Sequence, residues 1–384
     1  MTRPTRRPVV AHVLHAMGLG GVPEVAWQLI SRLPRERFDL RVYAMRQAAG
    51  EEEARDAMRA RLENHGVPVT FCPVEGALRI VANLSEWLVA EGVDLIHTHS
   101  YRPNLQGRLA AAPLRGSGLR LVAHYHSTMD EKRAAEGTLA LERSLTAVTD
   151  RVIACSQATG DHVAELLRVP EGRLTVVPNA VETARFADGD RAALRAALGI
   201  EDDRPVIGLV GRIDPLKGQE DLVRAASLVR AEHPGALMLL VGSTAKDDVA
   251  APVRHLIETE GVADAVRFTG YLHDMPSLYA AIDVLAAPSR SEGFGLMLVE
   301  AMAAGVPIVA SVAGAIPEVV GDGPALLVAP EDPPALAAAL NHVLADGDAA
   351  AAMGAAGRAR AQAFTWERSA ATLTGVYDEV LACR

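Results

Sequence analysis

A chain of 384 residues, 49% of them hydrophobic, is long enough for two domains that each bury their own core. A formal net charge of −10 excludes a nucleic-acid binder held mainly by phosphate contacts, though it leaves room for a local basic cleft. Aromatic content of only 4%, against abundant Ala, Val and Leu, points to cores of small aliphatic side chains between helices and sheets. No uncharged apolar run reaches the roughly 18 residues a membrane span needs. The most apolar stretch, 296–312, carries Glu300 and is broken by Gly305 and Pro307, so only peripheral membrane contact stays open. Cys72, Cys155 and Cys383 show no paired spacing and are expected as free thiols. That predicts a cytoplasmic protein, with peripheral contact at the inner membrane face as the alternative.

The opening MTRPTRRPVVAHVLHAM imitates a secretory signal, but His12 and His15 interrupt its apolar part and GLGG follows. It reads as a first buried strand over 9–15. A glycine loop at 17–21 leads into a helix with Pro23 near its start. Strand, glycine loop and helix bring backbone N–H groups to an anion or a sugar, which makes Gly20 and Gly21 candidate binding positions. The loop lacks the full GxGxxG spacing with a following acidic residue, so no nicotinamide or flavin cofactor is expected.

Further strands are predicted over 38–44, 67–72, 93–99, 119–126, 150–156 and 174–179, with helical patterns at 51–64, 78–91, 104–113 and 131–147. Repeated β-α units of this kind make a mostly parallel, doubly wound α/β sheet, whose strand carboxyl ends carry ligands. The fourth strand ends in His97 and His99, the fifth in His124 and His126, and the seventh in Asn179. A metal is not expected. An HxH pair points both rings to one side, and no third ligand type lies within reach by sequence. Two or three of these histidines are expected to be structural, bonded to backbone carbonyls, and at least one to face a cleft.

Residues 181–205 are polar and acidic, with a short helical piece, and have the character of a connection between domains. A second β-α series follows. Its strands are predicted over 206–211, 236–242, 266–270, 283–288, 307–311 and 325–330, and its helices over 218–232, 249–260, 274–281, 295–304 and 332–345. Two such domains in series imply a deep cleft with strand ends on both sides. The amphipathic segment 364–383 exceeds what the second domain needs and is expected to pack back across the first. The resulting division is 1–185, a linker at 186–205, 206–363, and a terminal helix in 364–384.

The second series holds denser chemistry. Gly211–Arg212 closes its first strand and Lys217–Gly218 opens the next helix, offering a guanidinium fork and a mobile ammonium suited to phosphate oxygens. The run SRSEGFGLMLVEAMAAGVP at 289–307 places Glu292 in the loop before a helix and Glu300 about two turns into it. Ordinary surface arginine, lysine and glutamate are the bland alternatives. For Glu300 that alternative is weak, because a carboxylate on a nearly all-apolar helix needs a hydroxyl or N–H partner. DGD occurs at 188–190 and 346–348, in predicted loops away from the strand ends, so no metal role is assigned to either copy.

In this order and spacing the motifs resemble the family 4 glycosyltransferases of the GT-B fold, over nearly the whole chain. They are GLGGVPEVAWQL, HTHS, VAHYH, VIACS, VVPNAVE, GLVGRIDPLKG, RFTGYL, the E-x7-E of EGFGLMLVE, and GAIPEVV. The resemblance implies two Rossmann-like domains facing across a cleft and a retaining transfer from a nucleotide-diphosphate sugar, UDP-linked by preference, to a hydroxyl acceptor. That acceptor would be a small molecule, a glycan or a lipid. No metal or other cofactor is implied. By resemblance Glu300 would hold ribose hydroxyls and Glu292 the donor sugar. Arg212 and Lys217 would neutralise the diphosphate with the amides of Phe294, Gly295 and Leu296, and Gly20 and Gly21 would approach donor phosphate or acceptor. His126 would stand beside the reacting sugar, with His99, Arg102 and Asn179 on the acceptor side. Two positions depart from the family pattern: Ala180 follows Asn179 where glycine is common, and Ala315 follows Gly314. The rival readings are a sugar-nucleotide epimerase of the same fold and a non-catalytic nucleotide-sugar binder.

Overall fold

The computed structural model describes residues 6–18, 20–46, 51–127, 136–243 and 247–382. The chain forms two compact units, Met1–Asn179 with Trp366–Arg384, and Ala180–Thr365. Both are parallel α/β sheets.

In the first unit the strands are β1 (Val9–Leu14), β2 (Asp39–Ala44), β3 (Val69–Phe71), β4 (Leu95–His99), β5 (Arg120–Tyr125), β6 (Arg151–Ala154) and β7 (Leu174–Val176). They order as β3-β2-β1-β4-β5-β6-β7. β1 and β4 are buried along their whole length, as strands covered by helices on both faces must be. Parallel register sets His12 opposite His97 and His99 opposite His124, so histidines from three adjacent strands are brought side by side. The terminal helix Trp366–Ala382 belongs to this unit. It is fixed by Ser369 Oγ donating to the Pro178 carbonyl at 2.6 Å, by ion pairs from Arg32 to Glu367 and Arg151 to Glu379, and by Tyr377 packing edge-on against Phe38. Cys72 and Cys155 are buried free thiols, whereas Cys383 lies outside the described residues.

The second unit holds β8 (Val206–Val210), β9 (Leu237–Val241), β10 (Val266–Gly270), β11 (Val284–Ala287), β12 (Ile308–Ser311) and β13 (Ala325–Val328), ordered β10-β9-β8-β11-β12-β13. Helices Gln219–Glu232 and Pro333–Ala345 pack Leu222, Val229, Leu336 and Leu340 against Ile207, Leu209 and Val309 of the sheet. Residues 181–205, expected as a connection between domains, lie within this unit. Arg195 is fully buried there. Its guanidinium donates to the carbonyls of Ala281, Glu201, Asp202 and Arg204 and pairs with Asp283 at 2.8 Å. One side chain thus ties the helix Arg191–Ala197 and the turn after it to the start of β11.

Both DGD sequences are helix starts. Asp190 accepts from the Ala193 amide and Asp346 from the Ala349 amide, each as an N-cap. Asp346 opens Gly347–Ala361, one of three helices not foreseen, with Gln157–Leu167 and Ile316–Val320.

Arg195→Met should destabilise the protein by about 3–5 kcal/mol, since it orphans four carbonyls and leaves Asp283 without its buried partner. Scanning calorimetry of the full chain measures this. A loss under about 1 kcal/mol would mean the segment is held mainly by apolar contacts.

Candidate active site

Each unit gathers polar groups at the carboxyl ends of its strands. In the second unit the chain leaves β8 through Gly211, at φ 154°, and reaches Lys217 at the end of the short turn Pro215–Lys217, which Asp214 caps through the Leu216 amide. Gly218 then takes φ 71°, and a Cβ there would lie 2.1 Å from the Pro288 carbonyl oxygen. Only glycine lets the following helix start this close to the end of β11. The Lys217 side chain lies along Gly211, and its ammonium donates to Glu292 Oε2. Both partners are mostly buried, at 19% and 12% side-chain exposure. Arg212 is the opposite case: its side chain is 78% exposed, and its nearest acid, Asp214, is 3.4 Å away.

Glu292 is held by its own backbone. Its carbonyl accepts the Ala315 amide at 2.9 Å, and a Cβ on Gly314 would lie 2.2 Å from the same oxygen. The helix Leu296–Ala304 begins at Gly295, φ 86°, with no side-chain cap. Among the described residues the amides of Phe294, Gly295 and Leu296 have no acceptor. Phe294 is 97% buried, its ring edge-on to Phe364 at 5.5 Å, so only its backbone is available to a ligand. Three open N–H groups at the positive end of a helix, an ammonium and an exposed guanidinium are the kinds of group that attract an anion.

Two turns along that helix, Glu300 Oε2 accepts the Tyr279 hydroxyl at 2.8 Å. This is the hydroxyl partner that an acid on an apolar helix requires, supplied by the helix Met275–Ala281. Burial raises the Glu300 pKa, while the Tyr279 bond and the charge of Arg185 work against the rise.

In the first unit Gly20 takes φ 142° with open space around it, and Gly21 begins the helix Gly21–Ile30, which has no side-chain cap. His12, His97, His99 and His124 are fully buried, and His126 is half-buried. Their rings stack in succession, His124 on His126 at 3.9 Å and His97 on His99 at 4.2 Å. The expected bonds to backbone carbonyls are replaced by bonds among the rings and to Tyr377. His99 uses both ring nitrogens this way, so it reaches a ligand only through His126. Burial lowers the pKa of His12 and of His126 to about 3, so both are neutral at physiological pH. Ligand atoms of His12, His97 and His99, and of His99, His124 and His126, lie within 4.8 Å of one another. Such triplets have the donor set of a zinc site, but hydrogen bonds already occupy most of those nitrogens.

Arg102 is exposed at the start of the helix Tyr101–Ala111 and lines a cavity of about 280 Å³ with His15, Arg46, Ile80 and Gln106. Its Nη1 lies 3.4 Å from His15 Nε2, and burial followed by the charges of Arg102 and Arg46 lowers the His15 pKa. Asn179 is 94% buried, its Oδ1 lacks a hydrogen bond, and Ala180 after it has no left-handed backbone. Sequence reasoning missed Tyr279, Arg46, Tyr377 and the part played by His12. For His12 a signal existed, since the strand order of a doubly wound sheet sets β1 beside β4. For Tyr377, 280 residues from His97, there was none.

Two all-parallel units of this topology, each with polar groups at its strand ends, have the architecture of the GT-B fold. The model for "Glycosyltransferase Family 4" matches residues 19–185 and that for "Glycosyl transferases group 1" matches 190–360. A D-inositol 3-phosphate glycosyltransferase of Segniliparus rotundus is 33% identical, over 83% of this chain and 73% of its own length. One of Kineococcus radiotolerans is 30% identical, over 95% and 92%. The crystal structure of Anabaena Alr3699/HepE in complex with UDP-glucose superposes with a TM-score of 0.82 at 25% identity, covering 98% of this chain and 100% of that one. The chain belongs to glycosyltransferase family 4. Among the described residues no helix is long and apolar enough to cross a membrane.

A carboxyl group whose folded pKa is raised favours the protonated folded state. Its contribution is fully present below the ordinary glutamate value of 4.5 and is lost as pH rises through the folded pKa. Glu300→Gln should therefore raise the melting temperature at pH above that window and leave it nearly unchanged below. Melting curves across pH, wild type against variant, check this; parallel curves would show that Glu300 ionises in the fold as freely as in solution.

Proposed function

We propose that this enzyme transfers a hexosyl or N-acetylhexosaminyl group from a UDP-sugar, with retention of configuration, to a hydroxyl of a small acceptor that carries a phosphate. The observation that carries the reading is the Lys217–Glu292 pair set beside the open amides of Phe294, Gly295 and Leu296. A sugar–diphosphate bond breaks when charge on the leaving oxygen is stabilised by groups already in place. Lys217, Arg212 and the helix N-terminus supply that stabilisation without a metal or other cofactor. Glu292 accepts from donor-sugar hydroxyls and orients the ammonium, and Glu300, aligned by Tyr279, accepts from the ribose. The acceptor oxygen attacks the anomeric carbon on the face the diphosphate leaves, the C–O bond to the phosphate breaks, and the acceptor proton passes to the departing phosphate oxygen.

His126 positions the donor sugar as a neutral group, with Gly20 and Gly21 offering backbone N–H groups from the first unit. The acceptor side includes Asn179 and the cavity of Arg102 and Arg46. Neither arginine pairs with a carboxylate among the described residues, whereas Arg6, Arg41, Arg61, Arg115 and Arg151 of the same unit all do. Unpaired arginines in a pocket of a chain with net charge −10 favour an anionic substrate. The relatives named for inositol 3-phosphate agree with a phosphorylated alcohol, and HepE holding UDP-glucose agrees with the donor. Buried free thiols fit a reducing, cytoplasmic setting.

Calorimetric titration with UDP, GDP and ADP should show UDP binding tightest, and no heat with any of the three would remove the transferase reading. Lys217→Ala should lower turnover by roughly two to three orders of magnitude in a chain that still folds, at a lowered melting temperature because Glu292 loses its partner. Unchanged turnover would exclude the lysine from leaving-group stabilisation. Proton NMR of the first product formed from an α-linked donor should show an α-linkage; a β-product would overturn retention.

A further inference from the structure

The loop that carries Glu292 and the open amides has a support behind it, centred on Arg360 near the end of the helix Gly347–Ala361. Arg360 Nη2 donates to the Glu318 carbonyl at 2.7 Å, and its Nε donates to the Val319 carbonyl at 3.1 Å. Its guanidinium carbon lies 5.0 Å from the centre of the Phe364 ring. That ring is in turn edge-on to Phe294 at 5.5 Å, and both aromatic side chains are buried. Gly321, at φ 61°, leaves the guanidinium its place, since a Cβ there would lie 3.3 Å from Arg360 Nε.

These contacts close a ring. The helix Ile316–Val320 is little more than one turn, held within itself by the Val319 amide on the Ala315 carbonyl and the Gly321 amide on the Pro317 carbonyl. A turn this short is marginal alone, and its last carbonyls have no partner inside it. Arg360 supplies donors to two of them. At the other end of the turn the Ala315 amide donates to the Glu292 carbonyl at 2.9 Å. From Glu292 the chain leads to Phe294, and from Phe294 the ring contacts lead through Phe364 back to Arg360. One guanidinium is the node where both arms meet. The Phe364 backbone is fixed in the same unit, its carbonyl accepting from the Val181 amide and its amide donating to the Ala361 carbonyl. The body of the helix Leu296–Ala304 has a different support. A Cβ on Gly354 would lie 2.2 Å from the Gly305 carbonyl oxygen, and one on Gly357 would lie 3.2 Å from Met302 Cα.

We infer that Arg360 is a positioning residue that holds the loop of Glu292 and Phe294 from both sides, and so keeps the amides of Phe294, Gly295 and Leu296 aimed at a diphosphate. The link to the diphosphate rests on the proposed function, while the brace stands on the contacts alone. Both tasks call for a guanidinium. Its fork reaches two carbonyls at once and its flat face lies on a ring, whereas a lysine ammonium is a point charge without that fork. Because the loop and the helix body are supported separately, losing the brace disturbs the amides more than it disturbs Glu300. The phosphate part of nucleotide binding then suffers, and the nucleoside part, held by Glu300 with Tyr279, does not.

The test compares the full-length wild type with Arg360→Met, which keeps an unbranched side chain and removes the fork. Hydrogen exchange without ligand, read at residue resolution by mass spectrometry, should show the Ala315 amide exchanging about tenfold faster in the variant. Amides inside Leu296–Ala304 should stay within about twofold. Calorimetric titration should show UDP bound about tenfold more weakly, while uridine, titrated by NMR, changes less than about twofold. Unchanged exchange at Ala315 overturns the brace. Equal losses for UDP and uridine also overturn the proposal, since they would mean a general loosening of the unit. Unchanged UDP affinity beside faster exchange overturns the link from Arg360 to the anion. Should Arg360→Met not fold, Arg360→Lys carries the same comparisons, because it retains one donor group but not the fork. A wild type that binds no UDP counts against the proposed function, and exchange at Ala315 still decides the brace.

Discussion

The buried contact between Lys217 and Glu292 is the interaction around which the second unit's polar end is built. Neither partner can be placed there by its own side chain. Lys217 depends on Gly211 and Gly218, which let the turn after β8 fold down against the Pro288 carbonyl, and Glu292 depends on Gly314, which lets a later loop reach its carbonyl oxygen. Three strand ends, of β8, β11 and β12, therefore converge through glycines on one ion pair. Two partly buried charges cost desolvation that their attraction alone does not always repay. The amides around Gly295 and the exposed Arg212, 3.4 Å from Asp214, add donors that the pair itself does not use.

The histidine cluster of the first unit meets the same requirement, polar groups deep in a parallel sheet, without charge. Five histidines in close contact would repel one another as cations. Burial and proximity hold them neutral. What remains to be satisfied is hydrogen bonding, and the cross-strand registers His12 to His97 and His99 to His124 bring the rings near enough to serve one another. The terminal helix adds the one hydroxyl that links His97 to His12. Its return to the first unit therefore does more than cover apolar surface.

Much of this architecture was legible in the sequence, because parallel strands and their helices obey strong local patterns. Every strand and its order within the β-α series could be read from apolar runs bounded by glycine and polar turns. The second unit's polar end was legible too, since Gly211–Arg212, Lys217–Gly218 and the E-x7-E run each carry local signals of close backbone approach. What could not be read was pairing at long range. Nothing local distinguishes Tyr279 as the partner of Glu300, or Tyr377 as a partner of His97, because both meet only after the sheet is assembled. Residues 181–205 looked like a connection for a related reason. Their acidic, small-residue composition suggests solvent, while the single Arg195 that anchors them satisfies carbonyls that no sequence pattern marks. His99 shows the same limit in reverse, its place at a strand end suggesting exposure where the neighbouring rings enclose it.

The contrast between the charged Lys217–Glu292 site and the neutral histidine cluster has a chemical rationale in the proposed transfer. Positive groups belong where negative charge grows, on the leaving diphosphate, and Lys217 and Arg212 lie at the polar end of the second unit. The sugar itself gains positive character as the bond breaks, so an imidazolium beside it would oppose the reaction, while a neutral imidazole can still donate one hydrogen bond. A lone exposed histidine would be partly protonated near neutral pH, since its ordinary pKa is about 6.5. Packing His126 against His99 and His124 removes that fraction, and the bond to His99 orients its ring, so neutrality and orientation come from the same neighbours.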